Sequence, residues 1–214
     1  MEYVPFEKYA EKLGGTKTET CGFRGIECQV GSVKVLALES GIGKACAASA
    51  CAVLIAGFGA DIILNAGLSG AVSACRREDI IAGNSYVECD MDLTAIGYAP
   101  GSKPGCPVVY EVDEALLSIC KELGIKDMRL GTGDVFLADK VKKEYFFNTF
   151  AINAFDMESA AIACVCHKAG IPFISLRKIS DDADDCATDD YREMNDRAEE
   201  SLTQVLDKVL AKLC

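Results

Sequence analysis

The sequence lacks the signatures of several familiar classes of site. Its twelve cysteines include no C-x-x-C pair, so the usual spacing of zinc ligands is missing, and we interpret them mainly as small buried thiols. Asp90 and Asp92 are two residues apart, but no further oxygen ligands follow at the spacing of a calcium loop. No apolar run approaches the roughly 20 residues of a membrane span, and residues 1–15 form a charged amphipathic pattern rather than a signal peptide. We therefore expect a cytoplasmic protein without a metal centre.

Phosphate-binding loops are also absent. Residues 40–44, SGIGK, precede a predicted helix at 44–56, but a Walker loop would require glycine at Leu38 and serine or threonine at Ala45. No G-x-G-x-x-G follows a predicted strand, which argues against a dinucleotide cofactor. The net charge of −11 disfavours a nucleic-acid polymer as a partner and is compatible with a single nucleoside. Because His167 is the only histidine, catalysis by carboxylates is favoured over a mechanism that needs an imidazole base.

What the sequence does contain is an alternation of strand and helix patterns. We find no linker, repeat or low-complexity stretch, so the alternation predicts one α/β domain over residues 1–214. The predicted elements are a first helix between Pro5 and Gly14, a hairpin of strands 22–30 and 32–38, strands at 61–65, 79–88 and 172–176, and helices at 44–56, 158–168 and 190–213.

Two carboxylates stand out between residues 153 and 185. Glu158 begins the helix predicted at 158–168, where backbone N–H groups and the helix dipole favour an ionised carboxylate. Asp181 lies in an acidic run that we expect to follow the strand at 172–176, and open α/β sheets bind ligands beyond the carboxyl ends of their strands. Two acids in such different surroundings suit separate roles in acid–base chemistry. A helix cap and a solvated acidic turn are the structural alternative.

The same region resembles one family over a spaced run of residues. The matching residues are Met157-Glu158, Val165-Cys166-His167, Pro172-Phe173 and Arg177-Lys178-Ile179-Ser180-Asp181. This pattern resembles the methylthioadenosine/S-adenosylhomocysteine nucleosidases of the nucleoside phosphorylase superfamily. The segments NAGLSGA (65–71) and LGTGDVFL (130–137) are similar to two further motifs of the family, in the family's order. The resemblance covers nearly the whole chain and implies a three-layer α/β/α sandwich around a mixed central sheet, assembled as a homodimer.

The resemblance also implies a reaction, hydrolysis of the N-ribosidic bond of an adenine nucleoside during methionine salvage, with no metal or organic cofactor. In that reaction Asp181 would protonate or hydrogen-bond adenine N7, and Glu158 would hold the ribose hydroxyls. Phe136 would stack on the purine, and the backbone of Leu137 would read its edge. The other substrate contacts that the resemblance implies are Ile42, Leu68, Ser69, Gly70, Met157 and Tyr191, together with Leu93 and Ile96, which would reach the thioether end of the substrate across a subunit boundary. Leu68 stands where the family usually has a small residue.

The amino terminus departs from the family pattern. Members of the family begin with a buried strand followed by a loop that carries a glutamate, whereas this sequence begins with MEYVPF, close to its first helix. The resemblance implies Glu2 as the base that orients and deprotonates the attacking water, in a sheet without the family's first strand. We expect residues 1–4 to be weakly anchored, and hydrolysis of methylthioadenosine to be slow or absent while adenine still binds.

Two other functions are compatible with the same residues. A purine nucleoside phosphorylase would use similar contacts to the base and the ribose, but its phosphate needs paired cationic donors, and the glycine-rich segment at 65–71 has no nearby arginine until Arg76 and Arg77. A non-catalytic nucleoside-binding protein would follow from the absence of the first strand.

Overall fold

The computed structural model describes residues 3–196 and 200–213. The first described element is helix α1 (Tyr3–Lys12), which includes two of the four residues expected to be weakly anchored. Three antiparallel strands follow, β1 (Thr16–Thr20), β2 (Phe23–Val30) and β3 (Val33–Leu38). The predicted hairpin is confirmed as β2 and β3. β1 was not predicted, because its sequence TKTET is polar throughout and lacks the alternation of a half-buried strand.

Six further strands form a mixed sheet in the order β6-β5-β7-β8-β4-β9. These strands are β4 (Ile63–Ala71), β5 (Ile80–Glu88), β6 (Val109–Glu111), β7 (Lys126–Thr132), β8 (Ala154–Asp156) and β9 (Phe173–Asp181). β4 runs parallel to β9, and β5 runs parallel to β7. The start of β5 also pairs antiparallel with the middle of β9, which curls the sheet back onto itself. The predicted α/β fold with a mixed central sheet is therefore confirmed.

Six further helices pack around these strands. They are α2 (Lys44–Phe58), α3 (Glu114–Glu122), α4 (Lys140–Phe150), α5 (Ser159–Ala169), α6 (Ala187–Asp196) and α7 (Glu200–Lys212). α2 packs on α5, and α7 packs on α1 and α3. The buried face of α2 carries Ala47, Ala50 and Cys51, and small side chains of this kind let two helices approach closely. The Sγ atom of Cys51 lies 3.6 Å from that of Cys166 on α5.

The last helix differs from its prediction over residues 190–213. Helical structure begins earlier, at Ala187, and it is assigned as α6 and α7, with residues 197–199 outside the described part of the chain. Among the helices of residues 3–196 and 200–213, none has the length and apolar character needed to cross a bilayer.

Two strands extend further than the sequence predicts, and both extensions reach the candidate site. The glycine-rich residues 66–71, which follow the strand predicted at 61–65, continue β4 in parallel register with β9, so that Asn65 lies inside the strand and not at its end. β9 likewise runs on through Asp181, although its acidic end looked unsuited to a buried sheet. The explanation is that Ile179 and Asp181 are both buried and that the Asp181 carboxylate receives hydrogen bonds from neighbouring residues.

A cavity of about 1010 Å³ lies between β3 and β4. In the part of the chain that the structure describes, β3 pairs only with β2, and β4 meets β8 only at Gly70 and Ala71. Apolar side chains of α2 and α7 line the cavity as well. The cavity therefore separates the three-stranded sheet from the mixed sheet, and residues 64–70 of β4 form one of its walls.

Candidate active site

Asp181 is one of the buried acids that line the cavity. It ends β9 and is only 3% exposed. Its Oδ1 atom accepts the Ala183 N–H at 2.9 Å, and its Oδ2 atom accepts the Ser180 hydroxyl at 2.6 Å. Burial raises the pKa of Asp181 above its ordinary value, although both hydrogen bonds act in the opposite direction. A raised pKa lets this carboxyl hold a proton at a pH where an exposed aspartate has lost it.

Strand β4 must carry a glycine at the position opposite Asp181. Gly70 of β4 is the residue in register with Asp181. A Cβ atom at Gly70 would lie 2.7 Å from Asp181 Oδ1 and 3.0 Å from the Cβ atom of Ala183. The close approach of β4 to the acid therefore requires glycine here, so Gly70 shapes the environment of Asp181 in addition to lining the cavity.

Glu158 is held by two other parts of the chain. It is the residue before α5, but its side chain makes no hydrogen bond to the amides of its own helix. Instead Oε1 accepts the Gly43 N–H at 3.1 Å, and Oε2 lies 3.4 Å from Nη1 of Arg177. The structural alternative from the sequence, a helix cap, is therefore not formed by this side chain. The partners of the carboxylate come from the start of α2 and from β9.

Arg177 connects Glu158 to a buried network that the sequence analysis missed. Its side chain is 2% exposed, and its Nε atom lies 3.2 Å from Oδ2 of the equally buried Asp156. Asp156 also accepts hydrogen bonds from the hydroxyls of Thr132 (2.7 Å) and Ser159 (2.5 Å). Asn65 Oδ1 accepts from Arg177 Nη2 at 2.6 Å. A buried guanidinium with several acceptors is oriented rigidly, so this network sets the position of Glu158.

The sequence carried a signal for this network. Arg177 follows the apolar strand run 172–176, and Asp156 follows Ala154 and Phe155 in a short apolar segment. Charged residues adjoining buried strands are seldom left unpaired, so an arginine and an aspartate in such positions are candidates for an ion pair. Arg177 belongs to the motif that carries the resemblance, whereas Asp156 lies outside that motif.

The cavity brings most of the predicted site residues together. The predicted residues that line it are Ile42, Leu68, Ser69, Gly70, Phe136, Leu137, Met157, Glu158, Asp181 and Tyr191. The Ser69 hydroxyl is buried and has no hydrogen-bond partner among the described residues, so it can bind a ligand atom without breaking an existing bond. The Phe136 and Tyr191 rings meet edge to face, with 5.5 Å between their centroids. Phe136 is 42% exposed, which places this aromatic pair at the mouth of the cavity.

Three predicted residues are not among those that line the cavity. Leu93 immediately precedes a 3₁₀ turn (Thr94–Ile96), and neither Leu93 nor Ile96 lines the cavity. Ile96 is 71% exposed and lies outside the lining of the cavity in its own chain. Glu2 lies outside the described residues.

Cations are scarce where a phosphate would need them. Among the described residues that line the cavity, the cationic side chains are Lys34 and Arg177. Lys34 pairs with Glu27 at 3.0 Å on the exposed surface. Arg177 is committed to Asp156 and Glu158. The described cavity therefore offers no pair of uncommitted cationic donors for a phosphate dianion.

Comparison with known proteins gives consistent matches over most of the chain. The family model described as the phosphorylase superfamily matches residues 2–211. The chain is 34% identical over 195 residues to a 5′-methylthioadenosine/S-adenosylhomocysteine nucleosidase of Actinobacillus succinogenes, which covers 87% of this chain and 85% of that protein. A nucleosidase of the same name from Exiguobacterium sp. is 34% identical over 190 residues, covering 85% and 82% of the two chains.

Two solved structures show the same relationship in three dimensions. An S-adenosylhomocysteine nucleosidase from Streptococcus pyogenes, in complex with 5-methylthiotubericidin, is 30% identical with a TM-score of 0.90, and the match covers 94% of this chain and 89% of that one. A 5′-methylthioadenosine/S-adenosylhomocysteine nucleosidase from Colwellia psychrerythraea, in complex with adenine, is also 30% identical with a TM-score of 0.90, covering 100% and 92%.

Proposed function

The chain belongs to the 5′-methylthioadenosine/S-adenosylhomocysteine nucleosidase family of the phosphorylase superfamily, and we propose that it is an N-ribosyl hydrolase that releases adenine from these nucleosides. The observation that carries this proposal is the pairing, in one cavity, of a buried acid with a raised pKa and a second carboxylate held by an arginine. The first suits protonation of a leaving base, and the second suits binding of sugar hydroxyls.

In the proposed reaction, the bond between N9 of adenine and C1′ of the ribose breaks, and its electron pair goes to the purine. Asp181 delivers its proton to N7, so that adenine leaves as a neutral molecule. Water adds to C1′ and loses a proton to the carboxylate of Glu2, which gives a free 5-substituted ribose. The transition state carries positive charge on the sugar, so a site that stabilises this charge and the leaving purine lowers the barrier. None of these steps draws on a metal or an organic cofactor.

Glu158 binds the ribose in this proposal. Hydroxyl groups donate their strongest hydrogen bonds to an ionised acceptor, and the Gly43 N–H and Arg177 leave Glu158 as an oriented carboxylate on the cavity wall. Met157 lies beside it in the cavity lining and contacts the same sugar.

The purine lies against Phe136, whose exposed ring is free to stack, while the backbone of Leu137 reads the edge of the base. Leu68, Ser69 and Gly70 form the wall of β4 beside it. Ile42 and Tyr191 cover the sugar and its 5′ substituent, again from positions that line the cavity. This arrangement gives a role to each predicted substrate contact that lines the cavity of its own chain.

The two remaining contacts need a second copy of the chain. We propose a homodimer in which Leu93 and Ile96 contact the thioether of the substrate bound by the partner. The exposure of Ile96 supports this, as does a wider set of exposed apolar side chains, Tyr98, Val108, Val141, Tyr145 and Phe147. Glu2 is proposed as the residue that orients the attacking water.

We propose that the protein is cytoplasmic and acts in methionine salvage as a single domain over residues 1–214. The cysteines of the described part are all free thiols, and Cys51 and Cys166 remain unlinked although their sulfur atoms are in contact. Abundant free thiols are typical of a reducing compartment.

The experiment that tests the function is an assay of adenine release. The chain is incubated with methylthioadenosine, S-adenosylhomocysteine and adenosine in buffer without phosphate, and adenine is measured by chromatography. We expect adenine from the two thioether nucleosides, in place of the slow or absent hydrolysis expected from the amino terminus, because most of the predicted site residues line one cavity. No release from either of them would contradict the proposal.

A further inference from the structure

Two consecutive amides at the start of α2, those of Gly43 just before the helix and of Lys44 at its first position, hold carboxylates from two distant segments of the chain. The Gly43 N–H donates to Glu158 Oε1 at 3.1 Å, and the next amide, that of Lys44, donates to Asp134 Oδ1 at 2.8 Å. Gly43 has a φ of +92°, and a Cβ atom there would lie 3.0 Å from Asp134 Oδ1. The ribose acid and the loop that precedes Phe136 are therefore fixed on adjacent backbone groups, where the positive end of a helix dipole favours negative charge.

A third segment joins the same point. The N–H of Asp134 donates to Asp90 Oδ2 at 2.9 Å, and the other oxygen of Asp90 lies 2.7 Å from Lys44 Nζ. Lys44 Nζ also lies 3.5 Å from Glu88 Oε2. Burial lowers the pKa of Lys44, but its hydrogen bond to Asp90 and the nearby acids raise it above its ordinary value overall, so the lysine stays charged.

These contacts connect the segments that carry the proposed substrate contacts. Asp134 lies two residues before Phe136, and Asp90 lies three residues before Leu93. Neither aspartate lines the cavity itself. Any influence of Asp90 or Asp134 on the substrate must therefore pass through the residues that they hold in place.

We infer that Lys44, Asp90 and Asp134 form a positioning cluster that fixes the distance between the purine-stacking loop and the ribose acid Glu158. This inference rests on the proposed function, because it takes Phe136 and Glu158 as contacts to the two halves of one nucleoside. A correct spacing matters only to a ligand that touches both residues at once. The cluster therefore strengthens binding of an intact nucleoside and has little effect on binding of free adenine.

The cluster is tested by calorimetric titration with two probes, adenine and a C-nucleoside analogue of methylthioadenosine whose carbon–carbon glycosidic bond cannot be hydrolysed. The variants are Asp134→Ala, Asp134→Asn and Lys44→Met. The matched control is Asp127→Ala, at the opposite end of β7, where the aspartate pairs with Asn84 and Lys121. Because hydrogen bonds to charged groups are the stronger kind, we expect Asp134→Ala to weaken binding of the analogue about tenfold and binding of adenine less than about threefold.

Two further readouts separate positioning from general damage to the fold. Asp134→Asn keeps an oxygen that can accept the Lys44 N–H, so it should restore most of the lost affinity. In a double-mutant cycle, Glu158→Gln should cost less in the Asp134→Ala background than in the wild type, because Glu158 is already misplaced there. The pH dependence of hydrolysis, which reports Asp181, should not change in the Lys44 and Asp134 variants.

Equal losses of adenine and analogue affinity, or additive effects of Asp134→Ala and Glu158→Gln, would overturn the inference. Wild-type affinity in both Asp134→Ala and Lys44→Met would overturn it as well. Thermal unfolding of both variants is measured first. If only one of them folds, the affinities of that variant decide the test. If neither folds, the cluster serves stability and the inference is wrong. Both probes report binding, so a chain that shows the coupling but releases no adenine would refute the proposed function and leave the positioning cluster intact.

Discussion

Replacing Asp181 by asparagine should separate catalysis from folding at a single position. The asparagine side chain has the shape of aspartate, and its oxygen can still accept the Ala183 N–H that Asp181 accepts at 2.9 Å. The Ser180 hydroxyl donates to Asp181 at 2.6 Å, and it can rotate to accept a hydrogen bond from the new amide. No buried group loses its partner, so we expect the fold to remain intact.

The catalytic loss follows from the missing proton. An amide cannot protonate N7, and the loss of a general acid typically lowers a rate by about 10²–10⁴-fold, which corresponds to roughly 3–5 kcal/mol in the activation barrier. The assay is adenine release from methylthioadenosine under saturating conditions. Asp182→Asn is the matched control, because Asp182 is the adjacent acid but is exposed, and it should retain wild-type turnover.

The same substitution should change stability in a pH-dependent way. The pKa of Asp181 is raised in the folded protein, so the stability that protonation of this group contributes is fully present below its unfolded pKa of about 3.9 and is lost as the pH rises through the folded value. Asp181→Asn carries no charge at any of these pH values. The variant should therefore be more stable than the wild type at neutral pH, with the difference shrinking toward acid pH, as measured by urea unfolding.

Near-wild-type hydrolysis by Asp181→Asn would remove Asp181 from the mechanism. The electrostatic argument would be refuted if Asp181→Asn had a lower free energy of unfolding than the wild type by the same amount at neutral and at acid pH. Burial would then not disfavour the charged carboxylate.

Three further substitutions test other parts of the site. Glu158→Gln should weaken nucleoside binding and slow turnover together, because ribose hydroxyls lose a charged acceptor; if this variant and the wild type discriminate equally between methylthioadenosine and its 2′-deoxy analogue, Glu158 does not bind the ribose. Phe136→Ala should weaken adenine binding by roughly 1–3 kcal/mol in a calorimetric titration, since it removes the stacking surface, and an unchanged affinity would place the purine elsewhere. Arg177→Met should lower the free energy of unfolding by about 3–5 kcal/mol, because it leaves the buried Asp156 charge without its partner. A loss below about 1 kcal/mol would show that the hydroxyl donors to Asp156 are enough to stabilise its buried charge.

The sequence predicted those helices and strands whose apolar residues recur with the period of the element and lie on its buried face. The helix predicted at 158–168 is α5, whose apolar positions recur at helical spacing. Its end is also marked in the sequence by Gly170, which adopts the left-handed conformation that ends a helix. The hairpin of β2 and β3 was predicted because its strands alternate around the turn at Gly31. Glu158 and Asp181 both line the cavity, the first just before α5 and the second at the end of β9, and their catalytic roles stay predictions.

The parts that were not predicted depend on contacts between distant residues. Glycines such as Gly70 usually punctuate a strand, but β4 continues through them because β9 supplies a parallel partner along its whole length. The acidic end of β9 stays buried because Ser180 and Ala183 satisfy Asp181. Gly43, the hydrogen-bond partner of Glu158 just before α2, lies 115 residues away in the chain, and no local pattern indicates such a hydrogen bond.

The most direct test of the account is the identity of the sugar product formed from methylthioadenosine with and without phosphate. The chain is incubated with the nucleoside in parallel reactions, one free of phosphate and one in 50 mM phosphate (about fifty times the upper end of typical KM values), and the products are identified by mass spectrometry. Because Arg177 is committed to Asp156 and Glu158, we expect adenine and free methylthioribose at the same rate in both reactions. Adenine release that requires phosphate, together with methylthioribose 1-phosphate as the product, would contradict the account and assign the site to a phosphorylase.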